Sequence, residues 1–138
     1  MRHELFVVKP IGRVESTLAD RSQAPKQGDE GAPDAWLSFD PEYLDGLRDL
    51  QQGSEVLILT WLDRAGRDVL RVHPRDDDSR AMRGVFSTRS ADRPNPIGLH
   101  RVEIVEVDAN RLRVRNLEAI DGTPIVDVKP VLDRIGER

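Results

Sequence analysis

The sequence contains no cysteine, and this absence excludes several chemistries at once. A chain without thiols forms no disulfide, holds no iron–sulfur cluster or zinc–thiolate site, and has no thiolate nucleophile. It also lacks any apolar run of about 18 residues, so we expect no membrane-spanning helix. The first residues show no long apolar stretch followed by small residues, so we predict no secretion signal. The sequence therefore predicts a soluble, cytoplasmic protein.

Lysine is scarce, since only 3 of the 21 basic residues are lysine and the others are arginine. The net charge of -4 argues against a general binder of polyanions. The charge is uneven, because residues 64–115 hold 12 basic and 8 acidic residues whereas residues 1–63 hold 6 and 12. Arginine binds phosphate and carboxylate through paired N–H groups. The ladder Arg111, Arg113 and Arg115 is therefore a candidate RNA stripe, with a solvated surface as the alternative.

Familiar catalytic motifs are also missing from the sequence. It contains no Gly-x-Ser-x-Gly, no Walker loop, no Gly-x-Gly-x-x-Gly and no His-Glu-x-x-His. The histidines His3, His73 and His100 are scattered, and a lone histidine on a strand is more often packed than a ligand. The aspartates at 76–78 are more typical of a solvated loop than of a cation site. We therefore expect no metal.

The apolar pattern predicts a chain made mostly of strands. The 138 residues are enough for one domain with a single core. Asp40 and Pro41 predict the start of a helix that ends at Gly53, and residues 16–35 predict a long loop. Strands are predicted at 5–14 with a break at Pro10, at 56–62 with a hairpin partner at 68–73, and at 84–86, 99–107, 111–117 and 125–128. In 99–107 the apolar face changes midway, which predicts a bulge or a change of environment. The fold class expected is a small, mostly antiparallel β-barrel with one or two helices.

Two segments have a composition that is unusual for structural loops. The first, residues 83–99, contains three arginines, two prolines and two glycines, including a rigid Pro94-Asn95-Pro96 turn. Within it, Arg89 is suited to binding a carboxylate through two N–H groups. The second, residues 121–130, begins with an Asp-Gly turn and continues as a strand. An ordinary surface loop and an ordinary turn are alternatives that the residues alone leave open.

Together, these segments resemble the TsaA-like family of tRNA methyltransferases. The family patterns are Gly-Val-Phe-x-Thr-Arg-Ser, Arg-Pro-Asn-Pro-Ile-Gly and Asp-Gly-Thr-Pro-x-x-Asp-x-Lys-Pro. The chain has them at Gly84–Ser90, Arg93–Gly98 and Asp121–Pro130. The similarity begins at Ile11–Ser16 and so spans nearly the whole chain. It implies a single TsaA-like domain over residues 1–138, without the C-terminal domain of many bacterial members.

The resemblance implies a β-barrel that uses S-adenosylmethionine to methylate N6 of threonylcarbamoyladenosine beside the tRNA anticodon. It also implies a homodimer with the cofactor near the subunit interface, and neither a metal nor a membrane partner. Lys26 stands where the family has arginine, Leu62 and Asp63 where it often has an aromatic residue and a histidine, and Val131 where it has an aromatic residue. The cofactor contacts implied are Pro25, Lys26, Gln27, Leu62, Asp63, Arg89, Leu99, Asp121, Gly122, Thr123 and Pro124.

Two residues are candidates for catalysis. Asn95, together with the carbonyl of Pro96, is a candidate acceptor of hydrogen bonds from the substrate, by analogy with the Asn/Asp-Pro-Pro motif of unrelated methyltransferases. Asp121 is a candidate base, with Asp127 as an alternative, and both have plainer roles as ligand or turn residues. Two other functions stay open. One is a methyltransferase of the same fold acting on another small or nucleotide substrate, and the other is a non-catalytic barrel that binds a nucleotide or RNA.

Overall fold

Ten short elements make up the computed structural model, which describes residues 4–19, 33–74 and 77–132. A small sheet and two 3-10 helices, Pro41–Leu47 and Val85–Ser87, lie outside the main sheet. The strands are β1 (Gly12–Glu15), β2 (Ala35–Phe39), β3 (Glu55–Trp61), β4 (Arg71–Val72), β5 (Arg83–Gly84), β6 (Ile97–Asp108), β7 (Arg111–Arg115) and β8 (Pro124–Pro130). Six of them close a barrel in the order β1-β2-β7-β6-β3-β8, while β4 and β5 pair with each other. Because every pair is antiparallel, the expected small antiparallel barrel is confirmed.

Alternate side chains of the strands fill the barrel. In β3, for example, Val56, Ile58 and Thr60 are buried inside while the residues between them lie half-buried on the outer wall. This alternation follows from the two-residue period of a strand. The fully buried side chains of the other barrel strands are Val14, Leu37, Phe39, Val102, Ile104, Leu112, Val114 and Ile125.

Strand β6 carries the irregularity that the sequence indicates. Ile104 pairs with Val114 and Glu106 pairs with Arg113, so Val105 is an extra residue opposite β7. A bulge of this kind reverses the in-and-out alternation. It therefore explains why the apolar residues of this strand change faces midway.

Four sequence predictions about strands are wrong. Leu5–Val8 is not a strand, and its four side chains are 51% to 95% exposed. It has no place in the barrel, because β1 already pairs with β2 on one side and β8 on the other. The segment 68–73 is not the hairpin partner of β3, because β6 and β8 pair with the two edges of β3. Only the two-residue strand β4 forms in this segment, and it pairs with β5. The third error is the strand at 84–86, because Val85–Ser87 forms a 3-10 helix and only Arg83–Gly84 pairs, with β4. The fourth is the omission of β2, of which only Ala35 lies within the predicted loop 16–35.

The predicted helix after Asp40 is a shorter 3-10 helix that ends at Leu47. The side chain of Asp40 makes no capping bond, and its backbone oxygen instead accepts a bond from the N–H of Tyr43. The chain turns at Asp49, whose φ is 69°. Leu50 then packs against the core, so the apolar stripe of this segment covers one barrel end without a full helix.

Three connections meet at the other end of the barrel, which we call the loop end. Their described parts are residues 16–19 and 33–34 between β1 and β2, residues 62–74 and 77–96 between β3 and β6, and residues 116–123 between β7 and β8. They meet because the six strands run alternately up and down. In the described part of the chain, no helix is both long and apolar enough to span a membrane.

Candidate functional site

Hydrogen bonds tie the three connections of the loop end together. The N–H of Asp121 donates to the oxygen of Leu18 over 2.7 Å, and the N–H of Ser16 donates to Oδ1 of Asp121 over 3.0 Å. Arg64 donates to the oxygen of Ala19 over 3.0 Å. Segments more than 100 residues apart along the chain are thereby held side by side.

Most of the site residues named from the sequence lie at this loop end. Leu62 and Asp63 follow β3, Arg89 and Asn95 belong to the connection before β6, and Asp121–Pro124 lead into β8. Leu99 is the exception, because it lies within β6 on the outer wall and is 42% exposed. Pro25, Lys26 and Gln27 fall outside the described residues.

The guanidinium of Arg93 braces the segment that carries Arg89. Its Nε donates to the oxygen of Ser90 over 2.9 Å, and its terminal nitrogen donates to the oxygens of Val85 and Thr88. Arginine is suited to this role because it offers five N–H donors in a planar fork. Arg89 itself is exposed and has no carboxylate partner among the described residues. The segment therefore holds its backbone fixed and leaves one guanidinium available to a ligand.

A second arginine, Arg67, holds the Pro94-Asn95-Pro96 turn. Its Nε donates to the oxygen of Pro94 over 2.8 Å and its terminal nitrogen donates to Oδ1 of Asn95 over 3.0 Å. The guanidinium also lies over the ring of Trp61, 5.1 Å from its centre. The hairpin predicted between 56–62 and 68–73 would place Arg67 in its turn, and nothing in its immediate neighbours signals a contact 27 residues away.

The two acceptors predicted from the sequence to bind the substrate already accept hydrogen bonds from the protein. Oδ1 of Asn95 accepts from Arg67, and the oxygen of Pro96 accepts from the N–H of Leu62 over 2.8 Å. A role for Asn95 in catalysis stays a prediction, but the structure changes which of its atoms is available.

The segment from Asp121 to Pro124 is largely occupied with its own turn. Gly122 has a φ of 84°, a left-handed conformation that glycine adopts without strain. Thr123 is buried, its hydroxyl donates to the oxygen of Ile120 over 2.7 Å, and both of its backbone groups are bonded. Pro124 is buried as well, whereas Asp121 is exposed and keeps Oδ2 for a ligand. The four cofactor contacts proposed here stay predictions, with Asp121 the best exposed side chain.

A buried polar chain lies beneath the loop end. His100 bonds to Thr60 through Nε2 over 2.7 Å and to Glu118 through Nδ1 over 2.5 Å. A Cβ on Gly98 would overlap Oγ1 of Thr60 and lie 2.7 Å from Nε2 of His100, so this motif position needs glycine. The sequence predicts only that His100 is a packed residue. The one signal of its partner was the single hydroxyl, Thr60, in an otherwise apolar strand.

The arginine ladder of β7 is paired with carboxylates. Arg111 contacts Glu15 at 2.8 Å, Arg113 contacts Glu106 at 3.5 Å, and Arg115 contacts Glu103 at 3.3 Å. By contrast, Arg71 and Arg83 on the small sheet are exposed and have no carboxylate partner among the described residues. Arg71, Arg83 and Arg89 all belong to the connection between β3 and β6.

The outer wall around Leu99 is apolar and flanked by an ion pair. In the register of β3 and β6, Leu99 faces Leu59 and Ile97 faces Trp61. Farther along the same two strands, Arg101 binds Glu55 over 2.9 Å, and its hydrogen bond lowers the pKa of Glu55 below the ordinary value. Ile97 and Leu99 remain 46% and 42% exposed.

Other places offer less to a ligand. The described residues contain no cluster of His, Asp or Glu that could hold a metal ion. A shallow groove of about 480 Å³ lies at the opposite end of the barrel, beside the Pro41–Leu47 helix. Its lining includes none of the residues that the sequence motifs single out. The loop end, where those motif residues converge, is therefore the candidate site.

Comparison with known proteins places this chain among a set of related sequences. The profile of the family described as the tRNA-methyltransferase O N-terminal domain matches residues 13–136. An S-adenosyl-L-methionine-binding protein of Archaeoglobus fulgidus is 43% identical over 135 residues, which cover 96% of each chain. A protein of Methanothermobacter thermautotrophicus, described as a probable S-adenosyl-L-methionine-binding protein, is 45% identical over 93% of this chain and 91% of that one.

A solved structure shares the barrel. The crystal structure of TrmO from P. aeruginosa superposes on 99% of this chain with a TM-score of 0.76 and 28% sequence identity. This chain corresponds to 61% of the length of that TrmO chain.

Proposed function

Because the chain belongs to the tRNA-methyltransferase O N-terminal domain family, we infer that it is an S-adenosylmethionine-dependent methyltransferase. We further propose that its substrate is tRNA and that it methylates N6 of threonylcarbamoyladenosine beside the anticodon. Support for this substrate comes from the family and from the motifs at Gly84–Ser90, Arg93–Gly98 and Asp121–Pro130.

The observation that carries the proposal is the exposed guanidinium of Arg89 on a segment braced by Arg93. The cofactor has a carboxylate, which a guanidinium binds through two parallel hydrogen bonds. Leu62, which follows β3, offers an apolar contact, and Asp63 and Asp121 offer carboxylates suited to the amino and hydroxyl groups of the cofactor. The residues at the loop end thus fit the cofactor, and we propose that they hold it together with Leu99, Gly122–Pro124 and Pro25–Gln27.

In this reaction the protein has to align N6 with the methyl group and to accept one proton from N6. When bound, S-adenosylmethionine would supply an electrophilic methyl group with a neutral thioether as its leaving group, and N6 would give up one proton to a base of this chain. N6 is a poor nucleophile because its lone pair is delocalised into the purine and the carbamoyl group. The rigid turn at 94–96 and the braced Arg89 segment provide fixed groups for orientation, which lowers the entropic cost of reaction. Asp121 is the proposed base, through its free Oδ2.

We propose that a homodimer completes the site. Leu99 lies on the outer wall, away from the other candidate contacts, and its neighbours Ile97, Leu59 and Trp61 make that wall apolar. A second copy seated there would bring Leu99 into a shared site and cover the exposed apolar surface. The homodimer rests on this placement and on the resemblance described above.

Two assays test the proposed function. Calorimetric titration with S-adenosylmethionine measures cofactor binding, and we expect one site per chain. The methylation assay uses two tRNA samples that differ only in the threonylcarbamoyl group, and nucleoside mass spectrometry detects the added methyl group. We expect methylation of the modified tRNA alone.

The assays also separate the alternatives. Cofactor binding without methylation of either tRNA would support another substrate for the same fold. Binding of tRNA without any binding of the cofactor would support a non-catalytic barrel and contradict the proposal.

A further inference from the structure

The turn Pro94-Asn95-Pro96 has all its acceptors occupied by the protein. The oxygen of Pro94 accepts from Arg67, the oxygen of Asn95 accepts from the N–H of Ile97 over 2.7 Å, and the oxygen of Pro96 accepts from Leu62. The prolines have no N–H. The donors of the turn, by contrast, are unoccupied, because the peptide N–H and the carboxamide Nδ2 of Asn95 have no acceptor among the described residues. The turn therefore presents donors to the outside.

The contact with Arg67 decides the orientation of the Asn95 carboxamide. A guanidinium carries only donors, so the atom of Asn95 that lies 3.0 Å from it has to be the oxygen. Nδ2 then lies on the opposite branch of the carboxamide, and the residue is exposed. Asn95 is thus an N–H donor whose side-chain oxygen is held by Arg67.

The connection around Arg67 makes this orientation rigid. Gly66 donates its N–H to Oδ1 of Asp92 over 2.8 Å and accepts from the N–H of Arg93 over 3.0 Å. The Arg67 guanidinium is further fixed by its position over the ring of Trp61. Donors that are held in place before the ligand arrives stabilise developing negative charge more effectively than donors that have to reorganise.

We propose that Nδ2 of Asn95 donates a hydrogen bond to the carbamoyl oxygen of the substrate nucleoside, and that Arg67 is the positioning residue that fixes it. This inference rests on the proposed function. The carbamoyl oxygen and N6 share one carbon, so a donor at the oxygen draws charge from N6 and favours loss of the N6 proton. Unmodified adenosine has no oxygen there and leaves the donor unpaired, which disfavours its binding. Asn95 thereby determines specificity for the carbamoylated base.

Asn95→Asp tests the donor directly, because it keeps the shape and the oxygen that faces Arg67, replaces the N–H donor by an oxygen and adds one negative charge. We expect methylation of the modified tRNA to fall by about 100-fold or more, since a fixed donor to developing charge contributes that order of rate. Binding of S-adenosylmethionine should stay unchanged. Asn116→Asp is the matched control, since Asn116 is an exposed asparagine at the same loop end and gains the same charge.

A binding measurement gives a readout that is independent of turnover. Anticodon stem-loops with and without the threonylcarbamoyl group are titrated in the presence of S-adenosylhomocysteine. Wild type and Asn116→Asp should prefer the modified stem-loop, and Asn95→Asp should lose about tenfold of that preference. Arg67→Gln should lose part of the preference, and should add little to the loss in the Asn95→Asp background because both changes act on one group.

The outcomes separate this inference from the proposed function. If wild type does not methylate the modified tRNA, the proposed function fails, and the carbamoyl assignment fails with it. If wild type methylates it and Asn95→Asp keeps both rate and preference, the donor role is overturned and an acceptor role is supported. If Arg67→Gln lowers stability but leaves the preference intact, Arg67 is structural and its positioning role is overturned.

Discussion

Nε2 of His100 lies 2.7 Å from Oγ1 of Thr60, inside the barrel and between neighbouring strands. The other ring nitrogen, Nδ1, lies 2.5 Å from Oε1 of Glu118. The three side chains join β3, β6 and the connection that leads to Asp121. These hydrogen bonds therefore connect the barrel interior to the connection between β7 and β8, which forms part of the candidate site.

Thr60→Val should destabilise the fold. The substitution keeps the shape of the side chain but removes the hydroxyl, which leaves Nε2 of His100 buried without a partner. We expect a loss of about 1–3 kcal/mol in the free energy of unfolding, measured by urea titration. Thr17→Val, at an exposed threonine, should change it by less than about 0.5 kcal/mol. Equal stability of the two variants would show that the bond to His100 contributes nothing.

Gly98→Ala should be destabilising for a steric reason. Its Cβ would meet Oγ1 of Thr60 and Nε2 of His100, two atoms already bonded to each other. Overpacking of this kind costs about 1–3 kcal/mol, which thermal or urea unfolding would detect. Gly46→Ala is the control, because a Cβ there meets nothing within 4 Å. If Gly98→Ala were as stable as Gly46→Ala, the close packing at β6 would not constrain this position.

Arg89→Ala should weaken binding of S-adenosylmethionine. Loss of a charge-assisted hydrogen bond corresponds to about 1.5–3 kcal/mol, or roughly tenfold to a hundredfold in Kd by calorimetry. Arg48→Ala removes an exposed arginine at the opposite end of the barrel, where it pairs with Asp45, and should leave the Kd unchanged. Unchanged affinity in a folded Arg89→Ala variant would remove Arg89 from the site.

Leu99→Glu should dissociate the proposed homodimer. Light scattering should give about 31 kDa for wild type, twice the chain mass of 15.6 kDa, and the mass of one chain for the variant. Val107→Glu is a matched control on the same strand, because both residues are 42% exposed. We expect Val107→Glu to stay dimeric. A monomeric wild type with full affinity for S-adenosylmethionine would contradict the shared site.

Arg71 and Arg83, which have no carboxylate partner among the described residues, should contribute more to tRNA binding than the paired arginines of β7. Replacing Arg71 and Arg83 by glutamine should lower the slope of log K against log salt by about one unit for each lost phosphate contact. Replacing Arg111 and Arg113 should change it less, because Glu15 and Glu106 already neutralise them. Fluorescence anisotropy over a range of salt concentrations measures both slopes. A larger effect of the β7 pair would restore the ladder as the RNA stripe.

The barrel could be predicted from the sequence because most of its strands show their burial locally. In β7, for instance, Leu112 and Val114 alternate with arginines, and the strand forms as that pattern indicates. Leu5–Val8 has an equally apolar composition but stays outside, because a strand also needs a free neighbour and β1 has none to offer. β2 was missed for the opposite reason, since its five residues follow a polar stretch and take their place from pairing with Val14 and Leu112.

Only the site residues that lie within contiguous sequence motifs could be predicted from the sequence. Arg89 and Asn95 stand within contiguous patterns, so the sequence points to them. Arg67 contacts Asn95 across 28 positions, and Glu118 contacts His100 across 18, so their roles depend on how the chain folds back. The available atom of Asn95 also depends on Arg67, which is why the sequence indicated an acceptor where the structure presents a donor.

Each of the six barrel strands is paired on both sides, and this closure limits where new binding specificity can evolve. A partner cannot extend the sheet by adding a strand to an edge, as it can in an open sheet. New recognition has to come from side chains on the wall or from the connections at the loop end. Substitutions in those connections can alter the ligand while the inward residues continue to specify the barrel. We therefore expect divergence in specificity to be concentrated in residues 16–34, 62–96 and 116–123.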